Sequence, residues 1–134
     1  MTDFVVRYEG GLRCRTEHPE SGAVLVTNAS QELGGSGEGF SPSDLLSVSL
    51  GGCVLSIMAM AGRVAGLELA GATATVTKEM GNTPRRITTL AVTVRVPGRY
   101  DPAQRKRLEA AAAACPVHAV LGIDAPIAIL WNED

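Results

Sequence analysis

Two cysteines at marked points of the chain are the residues best placed to do chemistry. Cys53 lies in the middle of a long apolar helix pattern, and Cys115 directly precedes Pro116, where a predicted helix must break. We expect the Cys115 thiol to lie beside the unpaired N–H groups of the next short helix, a setting that stabilises thiolate. Either cysteine could instead be a small buried hydrophobe. Together the two positions favour a redox pair.

A metal site is the competing interpretation of the same residues. Cys115 and His118 are three residues apart, and His18 is the only other histidine. Structural zinc sites use four ligands with close pairs such as C-x2-C, and none of the three cysteines is close to another. Cys14 alternates with two arginines on a predicted strand, so it is predicted to face the core. We therefore expect no metal and no cofactor.

Composition limits the class of protein. A chain of 134 residues is long enough to bury a core without disulfides, so one domain over residues 1–134 is predicted. The net charge of −2 and the scattered basic residues give no footprint for nucleic acid. Residues 1–10 show no secretory pattern, and an odd number of cysteines favours reduced thiols. A cytoplasmic location is expected.

Residues 41–65 form the most apolar helix pattern of the chain. Ser41 has the properties of an N-cap, Pro42 suits the first helical position, and Asp44 can complete a capping box. Apolar side chains point in all directions around the 3.6-residue period, which predicts a helix enclosed by protein. Glycines and serines dilute the segment, and Asp44 and Arg63 close it at about 18 residues, so a membrane span is not expected.

One stripe of this helix surrounds Cys53 with apolar and hydroxyl side chains. These side chains predict a substrate pocket beside the thiol, lined by Leu46, Ser49, Leu50, Ile57 and Met60.

The remaining patterns indicate an α+β fold with antiparallel sheet around the central helix. Short β-prone runs occupy residues 4–8, 12–15 and 23–27, and a flexible glycine-rich loop over 31–40 leads into the helix. Alternation predicts two long strands over 69–80 and 86–97. Helices are predicted from the N-cap at 101 through 114 and over 117–121, and a last strand over 127–131.

Four motifs in this order resemble the OsmC/Ohr family of thiol-dependent peroxidases and their uncharacterised relatives. They are SPSDLLSVSLGGC ending at Cys53, KEM at 78–80, PRRI at 84–87 and CPVH at 115–118. The resemblance covers the chain from about residue 34 onward and is closer to the uncharacterised branch. It implies an intertwined homodimer in which sheets from both subunits wrap two central helices, with the thiol sites at the subunit interface.

The resemblance also implies a reaction. Cys53 would be the peroxidatic thiolate that attacks an organic hydroperoxide and becomes a sulfenic acid, and Cys115 would trap it as a disulfide. An external dithiol would restore both thiols. The apolar lining of the predicted pocket suits an organic peroxide better than hydrogen peroxide.

A thiolate in an apolar site requires a nearby cation. In the characterised peroxidases of this family an N-terminal arginine, held by a glutamate near the helix start, has that role. Ser43 occupies the position of that glutamate in this chain, and Asp44 is the acid at the helix start. Arg13 or Arg15 would supply the cation and Glu38 could orient it.

An alternative from a different class remains open. The same fold could serve a non-enzymatic protein that binds a small apolar ligand or senses redox state, with its cysteines kept for packing. The response of the thiols to peroxide distinguishes the two.

Overall fold

The computed structural model describes residues 1–132 in two compact units, residues 1–46 and residues 47 onward. The elements are β1 (Val6–Gly10), β2 (Arg13–Glu17), β3 (Val24–Asn28), a 3-10 turn (Gln31–Leu33), α1 (Pro42–Val64), β4 (Thr73–Asn82), β5 (Arg85–Pro97), α2 (Pro102–Ala113), α3 (Pro116–Val120) and β6 (Ile127–Asn132). This order confirms the predicted α+β class. The single domain over residues 1–134 stays a prediction.

The first unit contains a three-stranded antiparallel meander in the order β1-β2-β3. Gly10 and Gly11 have φ of +88° and +62° in the turn between β1 and β2, a region that glycine enters without steric cost. All five residues of β1 are exposed, so this unit buries little apolar surface of its own.

The glycine-rich loop before α1, which its composition predicts to be flexible, contains hydrogen-bonded turns. The Gly35 N–H donates to the Ser30 carbonyl at 2.9 Å, and the Ser36 hydroxyl donates to Asn28 Oδ1 at 3.0 Å. A Cβ at Gly35 would collide with the Ala29 backbone. Glycine is needed here for close approach of two backbone segments.

The start of α1 has the predicted capping box. The Asp44 N–H donates to Ser41 Oγ at 3.1 Å, and the Ser41 N–H donates to Asp44 Oδ2 at 3.0 Å. Two N–H groups at the helix start are thereby satisfied.

The second unit contains a sheet in the order β4-β5-β6 with one apolar face. Val76, Val92 and Ile127 lie side by side in register across the three strands. Alternate residues of β5 are fully or almost fully buried on this face, whereas the threonines of β4 point to the other face and are exposed. The period-two pattern therefore predicted the faces correctly.

The last strand runs parallel to β5, although the sequence pattern indicated antiparallel sheet throughout. Helices α2 and α3 lie between the two strands in the chain. A parallel pair requires such a crossover connection, and the strand pattern itself carries no information on direction.

Helix α1 packs on this sheet through one face only. Its buried residues recur at helical spacing: Ser47, Leu50, Gly51, Val54, Met58 and Gly62. A Cβ at Gly51 would lie 3.0 Å from Val76 Cγ2, so glycine at this position allows the helix to approach β4 closely.

The opposite face of α1 is uncovered in the single chain. Val48 is 53% exposed, Met60 60% and Val64 86%. The expectation of a helix enclosed on all sides is therefore wrong for one chain, because the sheet covers one face of the helix. By length and mean hydropathy, 1.9 over 18 residues, α1 also meets the criteria for a membrane span, as core helices of soluble proteins can.

Candidate thiol site

The two predicted thiols lie next to each other in the second unit. Cys53 is half-buried on α1, and Cys115 is fully buried immediately before α3. Their side chains interact, and the neighbouring Cys53 raises the pKa of Cys115. An interaction that raises a pKa favours the protonated form, so Cys115 keeps its S–H beside the Cys53 sulfur. Both cysteines are free thiols.

Cys115 is the N-cap of α3. Its Sγ accepts the His118 N–H at 3.4 Å, which places the sulfur at the helix start as the Cys115-Pro116 pattern predicted. Proline at the first position of α3 has no N–H to leave unsatisfied.

Cys115 was expected in a setting that stabilises thiolate, but its burial has the opposite effect. Desolvation is the largest effect and raises the pKa of the thiol above its ordinary value of 9.0, and Cys53 raises it further. The N–H groups of His118 and Val117 lower that pKa without offsetting burial. Cys115 is therefore a protonated thiol at neutral pH and not a thiolate.

His118 has a structural role that the sequence analysis did not assign. Its Nε2 lies 2.7 Å from the Ala125 carbonyl oxygen, and because a carbonyl only accepts, Nε2 carries the proton. The side chain thus ties α3 to the segment before β6, while the backbone N–H of the same residue binds the Cys115 sulfur. The available signal is its place in the CPVH motif, where the sequence pattern alone indicates only a possible metal ligand.

The helix stripe predicted as the substrate pocket is partly covered. Leu50 is fully buried, Leu46 and Ile57 are half-buried, and Ser49 and Met60 are exposed. None of these five residues lines the cavity described below. These residues place apolar side chains on both sides of Cys53 along the helix axis. Their role in substrate binding stays a prediction.

The predicted activating groups all lie in the first unit, and each has a local partner. Arg13 Nε lies 3.0 Å from Glu9 Oε1, and Arg15 Nη1 lies 3.9 Å from Glu17 Oε2. Both arginines are exposed on one face of β2.

The two acids predicted to orient the activating cation differ in setting. Asp44 caps α1, and Glu38 is an exposed loop residue whose backbone N–H donates to Ser36 Oγ at 3.3 Å. Their part in activating Cys53 stays a prediction. Cys14, predicted to face the core, is only half-buried on β2.

A cavity of about 470 Å³ lies between α2, α3 and β6. Two of its lining residues are polar, Glu109 and His118. The others are apolar: Ala112, Ala113, Ala125, Pro126, Ile127 and Ile129. No sequence pattern had indicated it, because its walls come from three elements that only the fold brings together.

Among residues 1–132 no cluster of three or more His, Cys, Asp or Glu side chains has the arrangement of a metal site. The two imidazoles have other partners: His18 Nδ1 accepts the N–H groups of Glu20 and Ser21, and His118 binds Ala125.

Comparison with known proteins assigns the family. The family of OsmC-like proteins matches residues 35–129, which is more than half of the chain and includes both thiols. The chain belongs to the OsmC-like protein family. A crystal structure from Psychrobacter arcticus, named for osmotic stress induction and a detoxification response, is 34% identical with a TM-score of 0.89 and covers 98% of this chain and 96% of its own.

Two more distant OsmC-fold structures show the same fold. An organic hydroperoxide resistance protein OsmC of Legionella pneumophila is 20% identical, with a TM-score of 0.73 and coverage of 96% and 97% of the two chains. An OsmC-like protein of unknown function from Vibrio cholerae is 13% identical, with a TM-score of 0.78 and coverage of 97% and 100%. No curated protein matches this OsmC-like chain.

Proposed function

We propose that this OsmC-like protein is a thiol-dependent peroxidase that reduces organic hydroperoxides to alcohols. The observation that carries the proposal is that the side chains of Cys53 and Cys115, 62 residues apart in the sequence, interact in the fold. Their settings suggest the two roles. Cys53, the more accessible sulfur, is the nucleophile, and the buried thiol that keeps its proton, Cys115, is the resolving residue.

The reaction proceeds in three balanced steps. The Cys53 thiolate attacks the terminal peroxide oxygen, the O–O bond breaks, and the alkoxide takes a proton and leaves as the alcohol. Cys53 is then a sulfenic acid, and attack by the Cys115 sulfur forms the disulfide and releases water, which takes up the Cys115 proton. An external dithiol gives two electrons and two protons to this disulfide and becomes a disulfide itself.

The apolar stripe beside Cys53 favours an organic over an inorganic peroxide. Ile57, one turn after the thiol on α1, is half-buried and offers apolar surface to a hydrocarbon body, whereas hydrogen peroxide would gain nothing from it. The named activity of the Legionella pneumophila structure, organic hydroperoxide resistance, points to the same substrate class.

Cys53 needs a cation to act as a thiolate, and we assign it to the β2 arginines. Arg13 and Arg15 share the exposed face of that strand. Arg13 is paired with Glu9 and Arg15 with Glu17, and the distance between the charged atoms is longer in the Arg15 pair. Glu38 or Asp44 would orient the guanidinium toward the thiol.

A homodimer would cover the open face of α1. That face carries small residues at helical spacing, Ser49, Gly52, Ser56 and Ala59, beside the exposed Met60. Small residues allow two helices to approach closely. Phe4, Val5 and Val6 at the start of the chain are also exposed apolar side chains, which a partner chain could cover. We expect the protein in the cytoplasm, where thiols stay reduced.

Counting thiols after exposure to cumene hydroperoxide tests the proposal. The chain has three cysteines, so the reduced wild type should fall from three free thiols to one. Cys53→Ser should lose none. In Cys115→Ser only Cys53 should react, and it should be trapped by dimedone as a sulfenic acid.

Cys14→Ser is the matched control, and it should lose both of its remaining thiols. Thiol counts unchanged by excess peroxide would contradict the peroxidase and favour the non-enzymatic alternative, a protein that binds a small apolar ligand or senses redox state.

A further inference from the structure

We propose that the cavity between α2, α3 and β6 binds a small organic cation with an apolar body and one primary ammonium group. The cavity's volume of about 470 Å³ lies within the range of small-molecule sites. The proposal goes beyond the peroxidase function and does not depend on it, because neither Cys53 nor Cys115 lines this cavity.

The lining sets the apolar character of the ligand. Six of its residues are alanine, proline or isoleucine. Ile127 and Ile129 present the apolar face of β6, and the buried Ala112 closes the side formed by α2. A hydrocarbon or aromatic body would be desolvated against these side chains.

The two polar lining residues set the sign of the ligand's charge. Glu109 is acidic, and its Oε1 accepts the Trp131 indole N–H at 3.2 Å, which fixes the carboxylate at the end of β6. A carboxylate has about four lone-pair sites, so it can accept further donors. In the neutral imidazole of His118, Nε2–H is engaged by the Ala125 carbonyl, so the remaining ring nitrogen, Nδ1, is an acceptor.

The cavity thus combines a negative charge and acceptors with apolar walls. An ammonium group has three donors and no acceptor, so it complements this set, whereas a carboxylate ligand would meet like charge. Arg105 lies close by, but its guanidinium is over the Trp131 ring, 5.5 Å from the centroid, with Nε donating to the Tyr100 carbonyl at 3.1 Å. It is not part of the cavity wall.

A series of three ligands of similar shape tests the proposal on the full chain. Calorimetric titration should show saturable binding of 2-phenylethylammonium, with 2-phenylethanol weaker by about tenfold or more because a charge-assisted hydrogen bond is lost. 3-Phenylpropanoate should not bind. Trp131 is the only tryptophan, so the single indole N–H resonance should shift with the ammonium ligand and locate it.

Three variants distinguish binding in this cavity from non-specific attraction of the cation to acidic residues elsewhere on the protein. Glu109→Gln should weaken 2-phenylethylammonium binding about tenfold or more. Glu79→Gln, an exposed acid on β4, should leave the affinity unchanged. Ala113→Phe should fill the cavity and abolish binding.

Several results would overturn the proposal. Equal affinity for the ammonium and carboxylate ligands, absence of any ammonium binding, or equal losses in the two glutamate variants would each do so. Retained binding in a folded Ala113→Phe protein would place the ligand elsewhere. If a variant fails to fold, the ligand series on the wild type decides.

Discussion

The Cys115 thiol interacts with the Cys53 side chain across 62 residues of sequence. One sulfur lies on the long helix α1 and the other caps the five-residue helix α3. Burial and the neighbouring sulfur both raise the pKa of Cys115 and keep its proton in place. A resolving thiol can stay protonated until the partner cysteine has been oxidised.

The raised pKa of Cys115 makes a prediction about stability at alkaline pH. Folding raises this pKa above the ordinary 9.0, so the folded chain holds the proton more tightly than the unfolded chain. The contribution of Cys115 to stability is complete below that ordinary pKa and is lost as pH rises through the folded pKa. Urea unfolding of the reduced protein should therefore show a free energy that falls at alkaline pH.

Cys115→Ala supplies the comparison for this titration. The other titrating groups are common to both proteins, so the difference between their free energies of unfolding reports Cys115 together with its interaction with Cys53. We expect that difference to be constant from neutral pH to about 9 and to shrink beyond it. A difference that stays constant into the alkaline range would show that folding does not raise the pKa of Cys115.

Substitution by leucine should have different effects at two adjacent glycines of α1, Gly51 and Gly52. Gly51 faces β4, where a Cβ would lie 3.0 Å from Val76, whereas a Cβ at Gly52 meets nothing within 4 Å. Gly51→Leu should lower the free energy of unfolding by about 1–3 kcal/mol through overpacking. Gly52→Leu should spare the fold and block close packing of a second α1, shifting the particle from dimer toward the 13.9 kDa monomer.

Light scattering at fixed protein concentration measures the second effect. A wild type with the mass of one chain would contradict the dimer. A dimer of unchanged mass in Gly52→Leu would contradict the assignment of this helix face to the interface.

The cap at Ser41 should contribute measurably to stability. Its hydroxyl accepts the Asp44 N–H at 3.1 Å at the start of α1. Ser41→Ala should cost about 1 kcal/mol, because that N–H loses its partner. Ser56→Ala keeps a small side chain on the open face of the same helix, so it should stay within about 0.5 kcal/mol of wild type. Chemical denaturation checks both, and equal effects would show that the cap is unimportant.

Removal of the activating cation should slow oxidation of Cys53. If an arginine of β2 activates the thiol, Arg13→Gln or Arg15→Gln should reduce the rate constant with cumene hydroperoxide by about tenfold or more. Arg95→Gln, an exposed arginine on β5, is the control and should react at the wild-type rate. Normal rates in both β2 variants and in the double variant would exclude these residues as the activating cation.

Local signals were sufficient for most of the secondary structure. The Ser41-Pro42 and Asp101-Pro102 pairs marked both long helix starts, and the structure has capping boxes at each. Cys115-Pro116 marked the break between α2 and α3. These features depend on residues within a few positions of one another, and the physical cause of each lies within that window.

Properties that depend on distant residues could not be obtained in this way. The direction of β6, the uncovered face of α1 and the cavity beside Glu109 each depend on which elements meet. The charge state of Cys115 is the clearest case, because the local helix start favours a thiolate whereas burial by the rest of the chain outweighs it.

The sequence by itself determined the family motifs, the helix caps and the two cysteines worth pairing, because each of these is written in residue type and short spacing. Only the tertiary structure decided that the Cys53 and Cys115 side chains interact and that Cys115 keeps its proton. The reason is that contact and desolvation are set by all the elements packed around a group, and no single stretch of sequence contains that information.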